Sequence, residues 1–90
     1  MYYEWDEQKR STNIDTHKVD FEAIRKFDWA TCLTVPDERH SEERYLSLGL
    51  IGRRLHAVAY TWRDNAIRII SLRKANQREV NKYEDFISKK

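Results

Sequence analysis

The stretch from Arg44 to Lys74, RYLSLGLIGRRLHAVAYTWRDNAIRIISLRK, constrains the fold more than any other part of the chain. Arg44 to Ile51, Leu55 to Trp62 and Ala66 to Leu72 each have strand length and β-branched or aromatic content. Gly52 and the Arg63-Asp64-Asn65 group break them, so the simplest topology is an antiparallel meander. Arg68 stands in the middle of the most hydrophobic run. A guanidinium is seldom buried without a partner, so a fold alone has no use for it there.

Strict alternation sharpens the problem. It predicts Leu55, Ala57, Ala59 and Thr61 on one face, turned toward covering helices, and His56, Val58 and Tyr60 on the other, with His56 and Tyr60 open. In the last run Arg68 shares a face with Ile70 and Leu72, whereas Ser71 and Arg73 fall on the opposite one. Both arginines reach one site only if the strand bends or bulges near Ser71.

The flanks supply helices. Tyr2 to Trp5 reads as a short aromatic strand, and Asp6 caps a mostly polar helix of about 10 residues from Glu7. Asp20 precedes a second helix carrying Ala23, Ile24 and Phe27, with Val19 as a hydrophobic staple. Trp29 to Val35 is expected to be a strand that Pro36 ends, followed by the charged connection Asp37 to Glu43. Ala75 to Ser88 returns to helical periodicity. Asn76 and Glu79 have capping-box spacing there, and Val80, Tyr83 and Ile87 form a stripe toward the sheet. The expected fold class is α+β, ordered β-α-α-β-β-β-β-α, in one domain spanning residues 1–90.

Charge divides the chain. Residues 1–43 balance to −5 and residues 44–90 to +7, within a net +2. The second half suits a polyanion or an acidic protein. The charged start MYYEWDEQKR has no signal-peptide core, no run approaches the roughly 20 apolar residues of a membrane span, and Cys32 is the single cysteine. A soluble cytoplasmic protein is the expectation. His17, His40 and His56 have no metal-ligand spacing, and Gly49 and Gly52 form no phosphate loop, so neither metal nor cofactor is expected.

What remains is cationic and aromatic. Arg44, Arg53, Arg54, Arg63, Lys74, Arg78 and Tyr83 are candidate RNA contacts, because guanidinium forks match phosphates and rings stack on unpaired bases. The chemistry that suits this set is RNA cleavage without a metal, in which a ribose 2′-hydroxyl attacks the adjacent phosphate. Arg68 and Arg73 would neutralise the growing charge, with Tyr60 beside them and Glu43 or His40 assisting proton transfer. A binding module that grips RNA or an acidic protein without reaction is the alternative.

Three stretches resemble the BrnT toxin family, the small ribonucleases of BrnT/BrnA toxin–antitoxin systems, whose fold is RelE-like. EWDEQKRSTNIDTHKVDFEA is similar to the family's start through Trp5, Asp6, Lys9, Asn13, His17 and Phe21. Glu42, Arg44 and Gly49 resemble its E-x-R strand opening. YTWRDNAIRIISLRKANQREVNKY carries the strongest likeness, through Arg63, Arg68, Ile70, Ser71, Arg73, Ala75, Glu79 and Tyr83. The family commonly has glycine where Lys18 and Ser41 stand here. The resemblance implies a small antiparallel sheet with two N-terminal helices and one C-terminal helix packed on it. It also implies a metal-independent endoribonuclease that inhibits translation. The partner it implies is a BrnA-like antitoxin with a ribbon-helix-helix domain, in a dimer of toxin–antitoxin heterodimers that reaches operator DNA through the antitoxin.

Overall fold

The structure, a computed structural model, describes residues 1–38 and 43–89. The fold is α+β. Among the described residues the elements run β1 (Tyr2–Glu4), α1 (Glu7–His17), a 3₁₀ helix (Phe21–Lys26), β2 (Leu33–Asp37), β3 (Arg44–Ile51), β4 (Arg54–Arg63), β5 (Ala66–Lys74) and α2 (Gln77–Ser88). The strands form one sheet in the order β1-β5-β4-β3-β2. The meander from β2 to β5 is antiparallel, and β1 adds to the β5 edge in parallel. Its turns use left-handed backbone, at Gly52 (φ 63°) and at Asp64 and Asn65 (φ 50° and 68°). That geometry matches the twist of a tight hairpin.

Two expectations shift. The second helix is a single 3₁₀ segment capped by Asp20, whose carboxylate accepts from Glu22 N at 3.0 Å. β2 begins at Leu33 rather than Trp29 and contains Pro36, which an edge strand tolerates because it needs one ladder only. Trp29 enters the core instead. Its ring lies 4.6 Å from Phe27 and 5.3 Å from Tyr60, and its Nε1–H donates to the Tyr3 hydroxyl at 2.7 Å.

Each face of the sheet has its own apolar cluster. One packs Val58, Tyr60, Ile67, Ile69 and Leu72 against Val19, Phe21, Ile24 and Phe27. Gly49 admits the Phe27 ring on this face: a Cβ there would lie 2.4 Å from the ring. The other packs Leu48, Leu55 and Ala57 against Ala75, Val80 and Tyr83, so α2 covers part of that face. The two sets expected from alternation in β4 hold, with a helix over the first as expected and an unexpected cover over the second. Leu55 and Ala57 lie under α2, but His56 and Tyr60 are buried rather than open. The His56 Nδ1–H donates to the Arg54 carbonyl at 2.9 Å, and burial pushes its pKa below the ordinary value. The aromatic packing beneath the 3₁₀ helix decides the matter, since Tyr60 fills it with both ring and hydroxyl.

α1 buries almost nothing apolar; Asn13 is its buried residue. It is held by polar contacts, chiefly Arg10 Nε to Asp20 at 2.7 Å and Asn13 to the backbone of β5.

The bend in β5 is a bulge. Ala59 pairs with Ser71, but the next residue, Tyr60, pairs with Ile69, leaving Ile70 as the extra residue. Ile67, Ile69 and Leu72 thereby all point into one core, and Arg68, Ser71 and Arg73 share the opposite face.

Candidate functional site

α2 leaves the hairpin end of its own face uncovered. An open groove of about 470 Å³ lies there, floored by Leu46 and Ala59 and walled by Val35, Asp37, Ser71 and Arg73. Beyond the Val35 and Leu46 wall, a smaller hollow of about 240 Å³ is rimmed by Arg78, Glu79 and Lys82. A third opening of about 320 Å³ follows the polar face of α1, past Lys9 and His17, to Ile70.

Arg73 is the best-defined cation. Its Nη1 and Nη2 donate to Glu79 Oε1 and Oε2 at 2.7 and 2.9 Å, a fork-to-carboxylate pair. Hydrogen bonding within the pair raises the Arg73 pKa and holds the Glu79 carboxyl below its ordinary value. Both groups are charged at neutral pH. Arg68 stands opposite Thr61, and among the described residues it pairs loosely with Glu4, Nη1 lying 3.5 Å from Oε1. The two arginines are about 15 Å apart along β5 on either side of Ser71, and of the pair Arg73 lines the groove.

The other expected residues divide. Arg44 and Arg63 fall by alternation on the Arg68 face, at the start of β3 and in the β4–β5 hairpin. Arg78, exposed on the first turn of α2, borders the smaller hollow. Arg53 and Arg54 occupy the opposite hairpin, about 23 Å from Thr61 along β4. Lys74, opposite His56, points to the other face. Glu43 turns its carboxylate to the Tyr45 hydroxyl at 3.2 Å, on the Tyr60 side, while its carbonyl accepts from Thr61 Oγ1 at 2.6 Å. His40 lies outside the described residues.

Two expected site residues are core instead. Tyr60 is 4% exposed on the face away from Arg68 and Arg73, its hydroxyl 2.9 Å from Ser47 Oγ. Tyr83, on the buried side of α2, packs against the sheet and donates to the Thr31 carbonyl at 3.2 Å. An aromatic ring between apolar layers is worth more buried than wet, which explains both.

The sequence reading passed over Ser71 and Glu79 as site residues. Spacing gives Glu79 as half of a capping box, which it is: Asn76 accepts from Glu79 N and Glu79 Oε1 accepts from Asn76 N. The N3 position of a helix that leaves a strand directly lies beside the strand's last residues. That proximity was the available signal. The groove is not uniformly cationic, since Asp37 and Glu38 line its β2 side. Among the described residues no three His, Cys, Asp or Glu side chains gather as a metal site, and no helix is long and apolar enough to cross a membrane.

Residues 5–79 match the family described as ribonuclease toxin, BrnT, of type II toxin-antitoxin system. The fold is similar to the 1.1 Å crystal structure of the Brucella abortus ribonuclease toxin, BrnT, with a TM-score of 0.68. That likeness has 29% identity and covers 86% of this chain and 100% of the other. No curated protein matches the chain.

Proposed function

We propose, from the premise that this chain belongs to the family of BrnT ribonuclease toxins of type II toxin–antitoxin systems, that it is itself a metal-independent endoribonuclease that inhibits translation in the cytoplasm. The observation that carries the reading is the β5 bulge, which turns Arg68 and Arg73 to one face of the sheet, where Arg73 lines an open groove. In-line attack by a ribose 2′-hydroxyl builds negative charge on the phosphate oxygens, and the 5′-oxygen leaves. Arg68, with its long contact to Glu4, is the less compensated cation for that charge. Arg73, fixed by Glu79, supplies an oriented donor edge. Preorganised donors of this kind contribute most where water is restricted. Arg44, Arg63 and Arg78 extend the phosphate path along the same face.

Of the two candidates for proton transfer, Glu43 would have to turn its carboxylate from the Tyr45 hydroxyl to the arginine face, and His40 lies outside the described residues. Tyr60 and Tyr83 have no part in the scheme, because both are core. The partner is a BrnA-like antitoxin with a ribbon-helix-helix domain, in a dimer of heterodimers that binds operator DNA through the antitoxin.

The test is cleavage of RNA in EDTA, read together with growth on expression. Replacing Arg68 or Arg73 by alanine is expected to lower cleavage about 100-fold or more, the usual loss for one oxyanion-stabilising donor. Intact RNA at stoichiometric protein, with unaffected growth, overturns the reading. The second reading is a non-catalytic RNA- or acidic-protein-binding co-repressor subunit, favoured by the engagement of Arg73 with Glu79. It predicts salt-sensitive binding without product.

A further inference from the structure

We infer that Glu79 is a positioning residue for Arg73, holding its guanidinium plane toward the groove and tying that orientation to the first turn of α2. The inference rests on the ribonuclease reading of the Arg68–Arg73 face. A capping box needs one acceptor oxygen at N3, and Glu79 Oε1 fills that need by accepting from Asn76 N at 2.9 Å. Glu79 Oε2 has no use in the cap. Among the described residues its partner is Arg73 Nη2, at 2.9 Å.

The Glu79 side chain is only 14% exposed, although a glutamate that serves a cap alone belongs in solvent. Enclosing a carboxylate is unfavourable unless it is paired, so its placement implies the pair with Arg73 rather than the cap. The fork engages one hydrogen on each terminal nitrogen. Nη1 also donates to the Lys74 carbonyl at 3.4 Å, so the Nε–H and the outer Nη2 hydrogen are what remain for a phosphate in the groove. An arginine at a strand end, with four rotatable bonds, would otherwise sample many directions. The fork selects one before substrate arrives, as a preorganised site requires. It also lowers the net charge that Arg73 presents. Arg73 therefore orients, and Arg68 carries more of the neutralisation.

The opposite possibility is that Glu79 occupies Arg73 in place of substrate phosphate and masks it. Glu79→Gln separates the two, because glutamine keeps the cap acceptor and one bond to Arg73 but loses the two-oxygen fork. Asn76→Ala is the control, since it breaks the cap and leaves the fork. With positioning, Glu79→Gln lowers kcat on RNA about tenfold or more with KM changed less than threefold, the signature of lost alignment. Asn76→Ala lowers thermal stability but leaves kcat near the parent. A parental kcat for Glu79→Gln reduces Glu79 to a cap, and a raised kcat makes it a mask; either overturns the inference.

An unmodified protein that fails to cleave RNA overturns the ribonuclease reading. The positioning is then decided by NMR of the Arg73 guanidinium. Slowed rotation and exchange-protected Nη hydrogens that vanish in Glu79→Gln support it, and a freely rotating guanidinium in the parent rejects it.

Discussion

The side-chain amide of Asn13 closes both free hydrogen-bonding positions of Leu72: Nδ2 donates to the Leu72 carbonyl at 2.7 Å, and Oδ1 accepts from its N–H at 3.2 Å. β1 pairs with β5 only as far as Glu4 opposite Arg68, so the outer edge of β5 would otherwise run on unpaired. One amide from α1 stands in for the missing strand residue, and Nδ2 also donates to the Val19 carbonyl at 2.9 Å. This explains why a polar residue is the buried member of α1.

Asn13→Ala is therefore expected to destabilise the fold by about 2–4 kcal/mol, because it strands buried backbone groups at Leu72 and Val19. Asn13→Asp should be at least as damaging, since an acceptor replaces the donor facing two carbonyls. Urea unfolding measures both. A wild-type midpoint for either variant would show that the edge of β5 does not depend on this amide.

Lys18 ends α1 in the left-handed region, at φ 61° and ψ 27°, with its N–H donating to the Ile14 carbonyl at 2.9 Å. Related toxins are expected to carry glycine here, and the backbone keeps the conformation glycine prefers. The Cβ then costs about 1 kcal/mol. Lys18→Gly should recover part of this, about 0.5–1 kcal/mol, offset by the freer unfolded chain. Lys18→Val should lose stability. Thermal melts of the three proteins should therefore rank glycine above lysine and lysine above valine.

Acid should weaken the attachment of α1. The Arg10 guanidinium, bonded to Asp20 at 2.7 and 2.8 Å, lowers the Asp20 pKa from 3.8 to about 2. A carboxylate with a depressed folded pKa contributes stability that is full above pH 3.8 and is lost as pH falls toward 2. Asp20→Asn keeps an acceptor for Glu22 N while removing the charge. The variant should be less stable than the parent at pH 7, and the difference should close between about pH 4 and 2. Denaturant midpoints at pH 7, 4 and 2 check this. A difference that persists unchanged at pH 2 would assign the effect to packing instead.

Local signals were legible and long-range choices were not. The hairpins at Gly52 and at Asp64-Asn65, the extents of β3 to β5 and the Asn76/Glu79 cap are written in neighbouring residues, and each was read within a few positions. Alternation also stated the condition that Arg68 and Arg73 required, a bend near Ser71. Nothing local says that Tyr2–Glu4 will lie parallel to Ala66–Arg68, more than sixty residues away. Alternation divides β4 into two sets but does not say which layer is thicker. His56 and Tyr60 were therefore given an open face, when the aromatic layer of Phe27, Trp29 and Tyr45 closes over Tyr60. The Arg73–Glu79 pair crosses a strand-to-helix junction, where neither a period of 2 nor one of 3.6 applies.

Ile70 makes the arginine pair a matter of parity. Residues five apart share a face of β5 only because one residue between them is uncounted by the partner strand. Any side chain that fits can replace Ile70, but the backbone unit itself cannot be removed. Deleting it would restore strict alternation and turn one end of β5 over. Either Arg68 would enter the layer now filled by Ile67 and Ile69, or Arg73 would rotate away from Glu79 and bring Leu72 out of its core. Length, rather than identity, is what the chain cannot vary between Arg68 and Arg73.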